Sequence, residues 1–297
     1  MVDENRIYLE EDEINLRELF FTIWNNKWKI VFFTFVITSA TIWYVVHLPN
    51  IYKSEIILIP QEQKSSMGGL GALAGLAGVD MGGGEVSAYS NMDIVLKDWN
   101  FQMSVIKKYA LLEKFKNREN IVYPLGLDFS EKSEDANISL EAQLLNTYKH
   151  ILSILSISED KKSGMIRLSI EIEDRFLAKE LVDIFLKEVV EHLRKLDMKD
   201  IDLKIEFYEK ELYETENLEL QSKLTQLLSA LIQKKMLANA SQFYVVKKIT
   251  DSRVVTIFEK VKPKRGLIVV VAFVTSIILG IFGVFMIEFI RGKKDEK

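Results

Sequence analysis

The 297-residue chain contains no cysteine. Disulfides, thiol nucleophiles and thiolate metal sites are therefore excluded. Histidine is almost as scarce. His47, His150 and His192 lie far apart, without the His-Glu-x-x-His spacing that puts two imidazoles on one helix face. No Gly-x-Ser-x-Gly nucleophile turn occurs. The net charge of -4 leaves no broad basic surface of the kind nucleic-acid binding needs. Carboxylates are plentiful, but runs such as "ELYETENLEL" read as solvated helix faces rather than acid–base pairs. No catalytic residue, metal site, cofactor or nucleic-acid partner is expected. Breakers are also missing where they would matter. There is no proline between Pro124 and Pro263, and no glycine between Gly164 and Gly266.

Charge is absent from two runs. Residues 30–48 (IVFFTFVITSATIWYVVHL) and 266–287 (GLIVVVAFVTSIILGIFGVFMI) hold no Asp, Glu, Lys or Arg. Each approaches the ~20 residues a helix needs to cross a bilayer core. A signal peptide is a poor reading of the first run, because a polar, acidic segment precedes it and no small-x-small cleavage pattern follows. Arg17, Lys27 and Lys29 precede that run and only Lys53 follows closely, which favours an N-terminus inside. The expected organisation is a cytoplasmic segment 1–29, a span 30–48, an outer domain 49–265, a span 266–287 and a cytoplasmic tail 288–297. Lys260, Lys262, Lys264 and Arg265 then face outward against the usual bias, which long loops weaken. A single span with a cytoplasmic domain is the competing topology. Trp24 and Trp28 before the first run, Pro263, Lys264 and Arg265 before the second, and Arg291 after it are the expected interface anchors.

The second run carries small residues at four-residue steps, Ala272, Ser276 and Gly280, with Gly283 close to that side and Val284 taken as off the row. Small residues let helix backbones approach in lipid. The expected partner is the first span, where Thr38 and the Ser39-Ala40 pair offer a thin patch.

Between the spans, "PNIYKSEIILIP" reads as a strand. Eight of the 14 glycines fall in residues 67–84, a mobile loop by composition; no Gly-Lys-Ser/Thr supports a phosphate cradle. "YSNMDIVLKDWNFQMSVIKKYALLEKF" has helical spacing through Ile94, Trp99 or Met103, and Ile106, with Ser90 or Asn91 as cap. "LEAQLLNTYKHIL" reads as a short helix. "LSILSISEDKKSGMIRLSIEIED" reads as a hairpin with Ile166, Leu168, Ile170 and Ile172 inward, Arg167, Ser169, Glu171 and Glu173 outward, and Gly164 in the turn. Asp174 is a candidate N-cap. From there an apolar stripe runs to Leu220, Leu224, Leu227 and Leu231. One helix over 175–238 would span roughly 95 Å, and those leucines would pack against other copies. A helical hairpin broken near "ETENLE" stays open as the alternative. "FYVVKKITDSRVVTIFEKVK" reads as an extended return.

The order of these parts resembles the chain-length determinant (Wzz-type) family of bacterial polysaccharide co-polymerases. The resemblance rests on "LRELFFTIWNNKWKIVFF" before span one, "YKSEIILIP", "GMIRLSIEIED" leading into "RFLAKELVDIFLKEVV", "FYVVKKI", and "PKRGLIVV" opening span two. It implies an α+β membrane protein with two transmembrane helices flanking a periplasmic α/β domain that carries a long extended helix. It also implies a homo-oligomeric, octameric ring in the bacterial inner membrane. The implied function is non-enzymatic: setting the chain length of a surface polysaccharide such as O-antigen, beside a polymerase and its growing lipid-linked polysaccharide. The alternative is an export or assembly adaptor between an outer-membrane exporter and a separate tyrosine kinase. Some relatives carry a kinase domain, which needs a phosphate loop; none is found here.

Overall fold

The computed structural model of the chain describes residues 16–61, 87–117, 120–124, 139–241 and 243–295. The glycine-rich segment 67–84 lies outside them. The fold is α+β, and the chain divides into two compact units.

The first unit contains the helices near the two ends. Helix α1 (Leu16–Asn25) is followed, after Asn26, by α2 (Lys27–His47), and α9 (Arg265–Asp295) closes the chain. Among the described residues, two helices are long and apolar enough to cross a membrane, Lys27–His47 and Arg265–Glu288. Their outward apolar side chains are largely exposed, as with Phe32, Trp43, Val270 and Phe282. Water does not favour such a surface, whereas lipid accepts it.

The second unit is a sheet covered by helices. Its elements are β1 (Ile51–Pro60), α3 (Ala88–Lys97), α4 (Trp99–Lys108), α5 (Leu111–Lys116), α6 (Leu140–Ile154), β2 (Leu155–Glu159), β3 (Ile166–Ile172), α7 (Arg175–Glu214), α8 (Leu218–Ala240), β4 (Val246–Lys248) and β5 (Lys260–Lys262). The strand order is β2-β3-β1-β4, with β5 also on β1. β1 is antiparallel to β3 in the register Tyr52↔Ile172, Ser54↔Ile170, Ile56↔Leu168 and Leu58↔Ile166. Side chains alternate across a strand, so these eight share one face, and all are buried. The expected hairpin is present: β2 pairs with β3 from Leu155↔Ile170 to Glu159↔Ile166, and Gly164 turns at φ +67°. Its outward face departs from expectation at Ser169, which lies between Glu55 and Ser156 in the register and is buried.

Helix α7 covers the inner face of the sheet. The Asp174 carboxylate accepts from the Phe176 and Leu177 amides, satisfying two orphan donors of its first turn. Leu177, Ala178, Leu181, Val182, Phe185 and Val189 are all buried. Each large side chain so buried contributes about 1.5–3 kcal/mol of hydrophobic stabilisation.

The stretch expected as one helix around Trp99 is two. Asp98 leaves the helical region at ψ 133°, ending α3, and its carboxylate accepts from Phe101 N at 2.8 Å to start α4. The cap of α3 is Ser87, not Ser90 or Asn91; its Oγ accepts from Ser90 N. Ile94 faces solvent, while Met92, Val95 and Leu96 enter the core.

The continuous 175–238 helix is also corrected. α7 ends at Glu214 and α8 begins at Leu218. Asn217 accepts from the amides of Glu219 (2.9 Å) and Leu220 (3.3 Å), and Gln221 Nε2 donates to Thr215 O at 2.6 Å. Side-chain amides thus satisfy the backbone at the break, so neither proline nor glycine is needed. Lys235 pairs with Asp202 at 2.6 Å across the two helices. The element is a helical hairpin.

Candidate functional site

Two places collect the residues singled out from sequence: the pair of candidate spans and the helical hairpin.

In the span pair, Ser276 and Gly280 are buried and Ala272 is half-buried. The Ser276 hydroxyl donates to Phe273 O at 2.8 Å, which satisfies it within its own helix. A Cβ added at Gly280 would lie 3.2 Å from Ile30 Cγ2, 3.5 Å from Phe33 Cδ1 and 3.7 Å from Ile30 Cα. The backbones of α2 and α9 approach there, and glycine is what permits it. Gly283 is different: a Cβ there meets nothing within 4 Å. Val284 is 6% exposed. The sequence-based assignment of these two positions is therefore reversed. At ~100° per residue, a four-residue step drifts ~40° one way and a three-residue step ~60° the other. Val284 continues the row from Gly280, and Gly283 falls off it.

On α2 the buried row is Ile30, Thr34 and Val45, with Thr38 half-buried. Ser39 and Ala40, expected in the contact, are exposed. Thr41 Oγ1 donates to Ile37 O at 2.8 Å. The hydroxyls of Thr34 and Thr38 are buried without a hydrogen-bond partner among the described residues.

The other end of the pair is closed by Arg265. Its Nε donates to Val45 O at 3.1 Å and its Nη2 to Leu48 O at 2.7 Å. The last carbonyls of a helix have no partner inside it and carry its negative dipole end. A guanidinium supplies forked donors and a positive charge together. Sequence reasoning marked Arg265 as an interface anchor but missed this role. The signal was its adjacency to span two; its target lies 217 residues earlier in the chain.

The remaining anchor candidates are placed as follows. Trp24 and Trp28 are 57% and 76% exposed. Trp24 stacks on Phe20 with centroids 6.0 Å apart, and Lys27 Nζ lies 4.2 Å over its ring. Lys264 is exposed and Pro263 half-buried. Arg291 lies in α9, with its side chain outside the described part.

In the hairpin, Leu224 is buried, and Leu227 and Leu231 are half-buried, as are Ile205, Tyr208 and Leu212 of α7; Ile201 is buried. The leucines expected to meet other copies thus lie largely in the hairpin's own seam, with only Leu220 (46%) among them exposed. A second set of apolar side chains is exposed instead: Leu196, Leu203 and Phe207 on α7, and Ile232, Met236 and Leu237 on α8. Leu196, Leu203 and Phe207 follow steps of seven and four, one face of a helix.

Where the hairpin's base enters the core, Glu188 accepts from Lys108 Nζ (2.8 Å) and Tyr109 Oη (2.7 Å). Burial works against its charge, but these hydrogen bonds and the Lys108 ammonium hold the carboxyl below its usual range. The same pairing raises Lys108. The histidines pack on aromatic rings: His192 on Phe101, His150 on Phe115, His47 on Trp43.

Comparison with known proteins adds the following. A family described as chain length determinant protein, Wzz, matches residues 12–117. No curated protein matches. A solved structure described as a full-length bacterial polysaccharide co-polymerase is similar at 13% identity, over 93% of this chain and 98% of that one, with a TM-score of 0.40. At that score the likeness transfers no structural detail. The matched segment takes in α1, α2, β1, α3, α4 and α5, the first span and the start of the sheet unit, and over that segment the chain is similar to the chain length determinant (Wzz) family.

Proposed function

We propose that the protein is a non-enzymatic regulator of the length of a bacterial surface polysaccharide, O-antigen or a related polymer. The family match over residues 12–117 carries this reading. In it, α2 and α9 cross the inner membrane, both termini are cytoplasmic and residues 49–265 are periplasmic. The exposed apolar sides of α2 and α9 support the crossing. Several copies assemble in a ring beside the polymerase and its lipid-linked polysaccharide. The exposed apolar row of the hairpin supports self-association, because a two-helix hairpin can bury one seam but not two. The test is a gel ladder of surface polysaccharide from cells with and without the gene. A modal length that broadens or shifts on deletion is expected; an unchanged ladder overturns the reading.

A further inference from the structure

The segment between β4 and β5 ends in a turn that presents apolar side chains outward. Phe258 is 85% exposed and Ile257 44%. The turn is tightly built. The Glu259 carboxylate accepts from Arg253 Nη1 (2.9 Å), Arg253 Nη2 (2.8 Å), Thr256 N (2.8 Å) and Thr256 Oγ1 (3.3 Å), while Glu259 N donates to Thr256 O at 3.1 Å. Its base is fixed to the domain: Tyr52 Oη donates to Ile257 O (3.3 Å), Ser54 Oγ to Arg253 O (3.2 Å) and Arg175 Nη1 to Val255 O (3.4 Å). The Arg253 hydrogen bonds pull the Glu259 carboxyl down to about 2, so it stays ionised well below neutral pH. The turn's polar groups are engaged with one another, and what projects is Phe258.

Chain connectivity limits where that side chain can be. Phe258 precedes Arg265, the first residue of α9, by seven residues, a reach of at most ~25 Å. Tyr52, which holds the turn, follows His47, the last residue of α2, by five residues, at most ~18 Å. The chain thus cannot carry the turn farther than these distances from one end of each span. The turn's surroundings are cationic. Lys260 and Lys264 follow it, exposed and without an ion-pair partner among the described residues, and the acid within the turn, Glu259, is taken by Arg253. An exposed aromatic beside lysines complements a bilayer surface with anionic headgroups.

We infer that the 256–259 turn is a further membrane contact, which lays Phe258 into the headgroup–acyl boundary of an anionic bilayer. This rests on the reading that α2 and α9 cross that bilayer, and the test separates the two. Because the chain has no cysteine, single cysteines can be spin-labelled in the full-length protein. Ile257→Cys reports the turn with Phe258 in place, Val274→Cys reports the lipid face of α9, and Tyr213→Cys reports the exposed end of α7. The protein is reconstituted in vesicles of phosphatidylcholine and phosphatidylglycerol. Nitroxide collisions with oxygen, which partitions into lipid, are compared with those with a water-soluble nickel chelate. At 257 the oxygen-to-nickel ratio is expected to be several-fold above that at 213. Adding Phe258→Ser should bring it down to the level at 213. A water-like ratio at 257 with a lipid-like one at 274 overturns the inference alone. Low collision with both reagents at 257 also overturns it, since the turn is then covered by protein. A water-like ratio at 274 overturns the span reading and the inference with it.

Discussion

Gly280 is where the span pair tolerates least. A methyl there begins 3.2 Å from Ile30 Cγ2, a few tenths of an ångström inside an ordinary ~3.5–4.0 Å carbon contact. Ile30 is 8% exposed, so it has little room to turn away. Gly280→Ala should cost about 1 kcal/mol, the low end of overpacking. Gly280→Leu adds three more carbons in the same direction. With Ile30 Cα only 3.7 Å from the Cβ position, backbone as well as side chain must move, and the cost rises to ~3 kcal/mol. Gly283→Leu, which meets nothing within 4 Å, should stay within ~0.5 kcal/mol. Trimming the obstacle should restore the fit: Ile30→Ala with Gly280→Leu should be less damaging than the sum of the two changes, by ~0.5–3 kcal/mol. The assay is resonance energy transfer between dyes on cysteines at Trp28 and Phe282, both largely exposed. SDS titration of the detergent-solubilised protein then reads separation of α2 from α9. The polysaccharide ladder of each variant gives the functional counterpart. Equal loss from Gly280→Leu and Gly283→Leu, or no relief from Ile30→Ala, would refute the close-approach argument.

Four further expectations follow from the contacts. Leu224→Asp puts a charge into the hairpin's own seam and should lower its thermal midpoint steeply, several kcal/mol for an unpaired buried charge. Phe207→Asp, on an exposed site, should keep helicity by circular dichroism yet reduce the mass of the detergent-solubilised assembly; retention of the parent mass would remove that face from assembly. Arg265→Gln gives up two charge-assisted hydrogen bonds to α2, about 1.5–3 kcal/mol each, and Arg265→Lys should recover less than half, because an ammonium lacks the planar fork; full rescue by lysine would show that charge alone matters. Glu188 has a folded pKa below its ordinary 4.5. Its stabilisation is therefore complete above that value and lost as pH falls through the lower folded one. Glu188→Gln should flatten this acid limb of a stability–pH curve, with little change in slope above pH ~5.

What could be read from sequence alone was mostly local. The β2–β3 hairpin, Gly164 in its turn and the Asp174 cap each depend on a few neighbouring residues whose chemistry is explicit. The break at Thr215–Asn217 was harder to see, because it uses neither proline nor glycine. It depends on an asparagine capping one helix and on the two helices packing together afterwards. The same limit applies at Asp98, where a residue expected inside a helix ends one and starts the next. In α9 the residue type misled: Gly283 suggested close approach and Val284 did not, yet the angular row decides which of them meets α2. Arg265 was legible as a cation beside a span. That it would cap α2 required knowing where α2 ends in space, and no pattern near residue 265 encodes that.

The Arg265–Leu48 hydrogen bond joins residues 217 positions apart. For a flexible chain, closing a loop of that length costs ~5 kcal/mol in entropy, more than the bond returns. Tyr52 and Ile257, however, are already joined across 205 positions once the sheet unit has folded. Only about a dozen residues are then free between the two ties, and closure falls to ~2 kcal/mol. The folded domain therefore acts as a spacer that raises the effective concentration of one span for the other. On this arithmetic the span pair closes at lower entropic cost once the sheet unit is folded than before. A substitution that loosens the core far from the bilayer, at Leu168 or Phe185 for example, would weaken span pairing without touching either span.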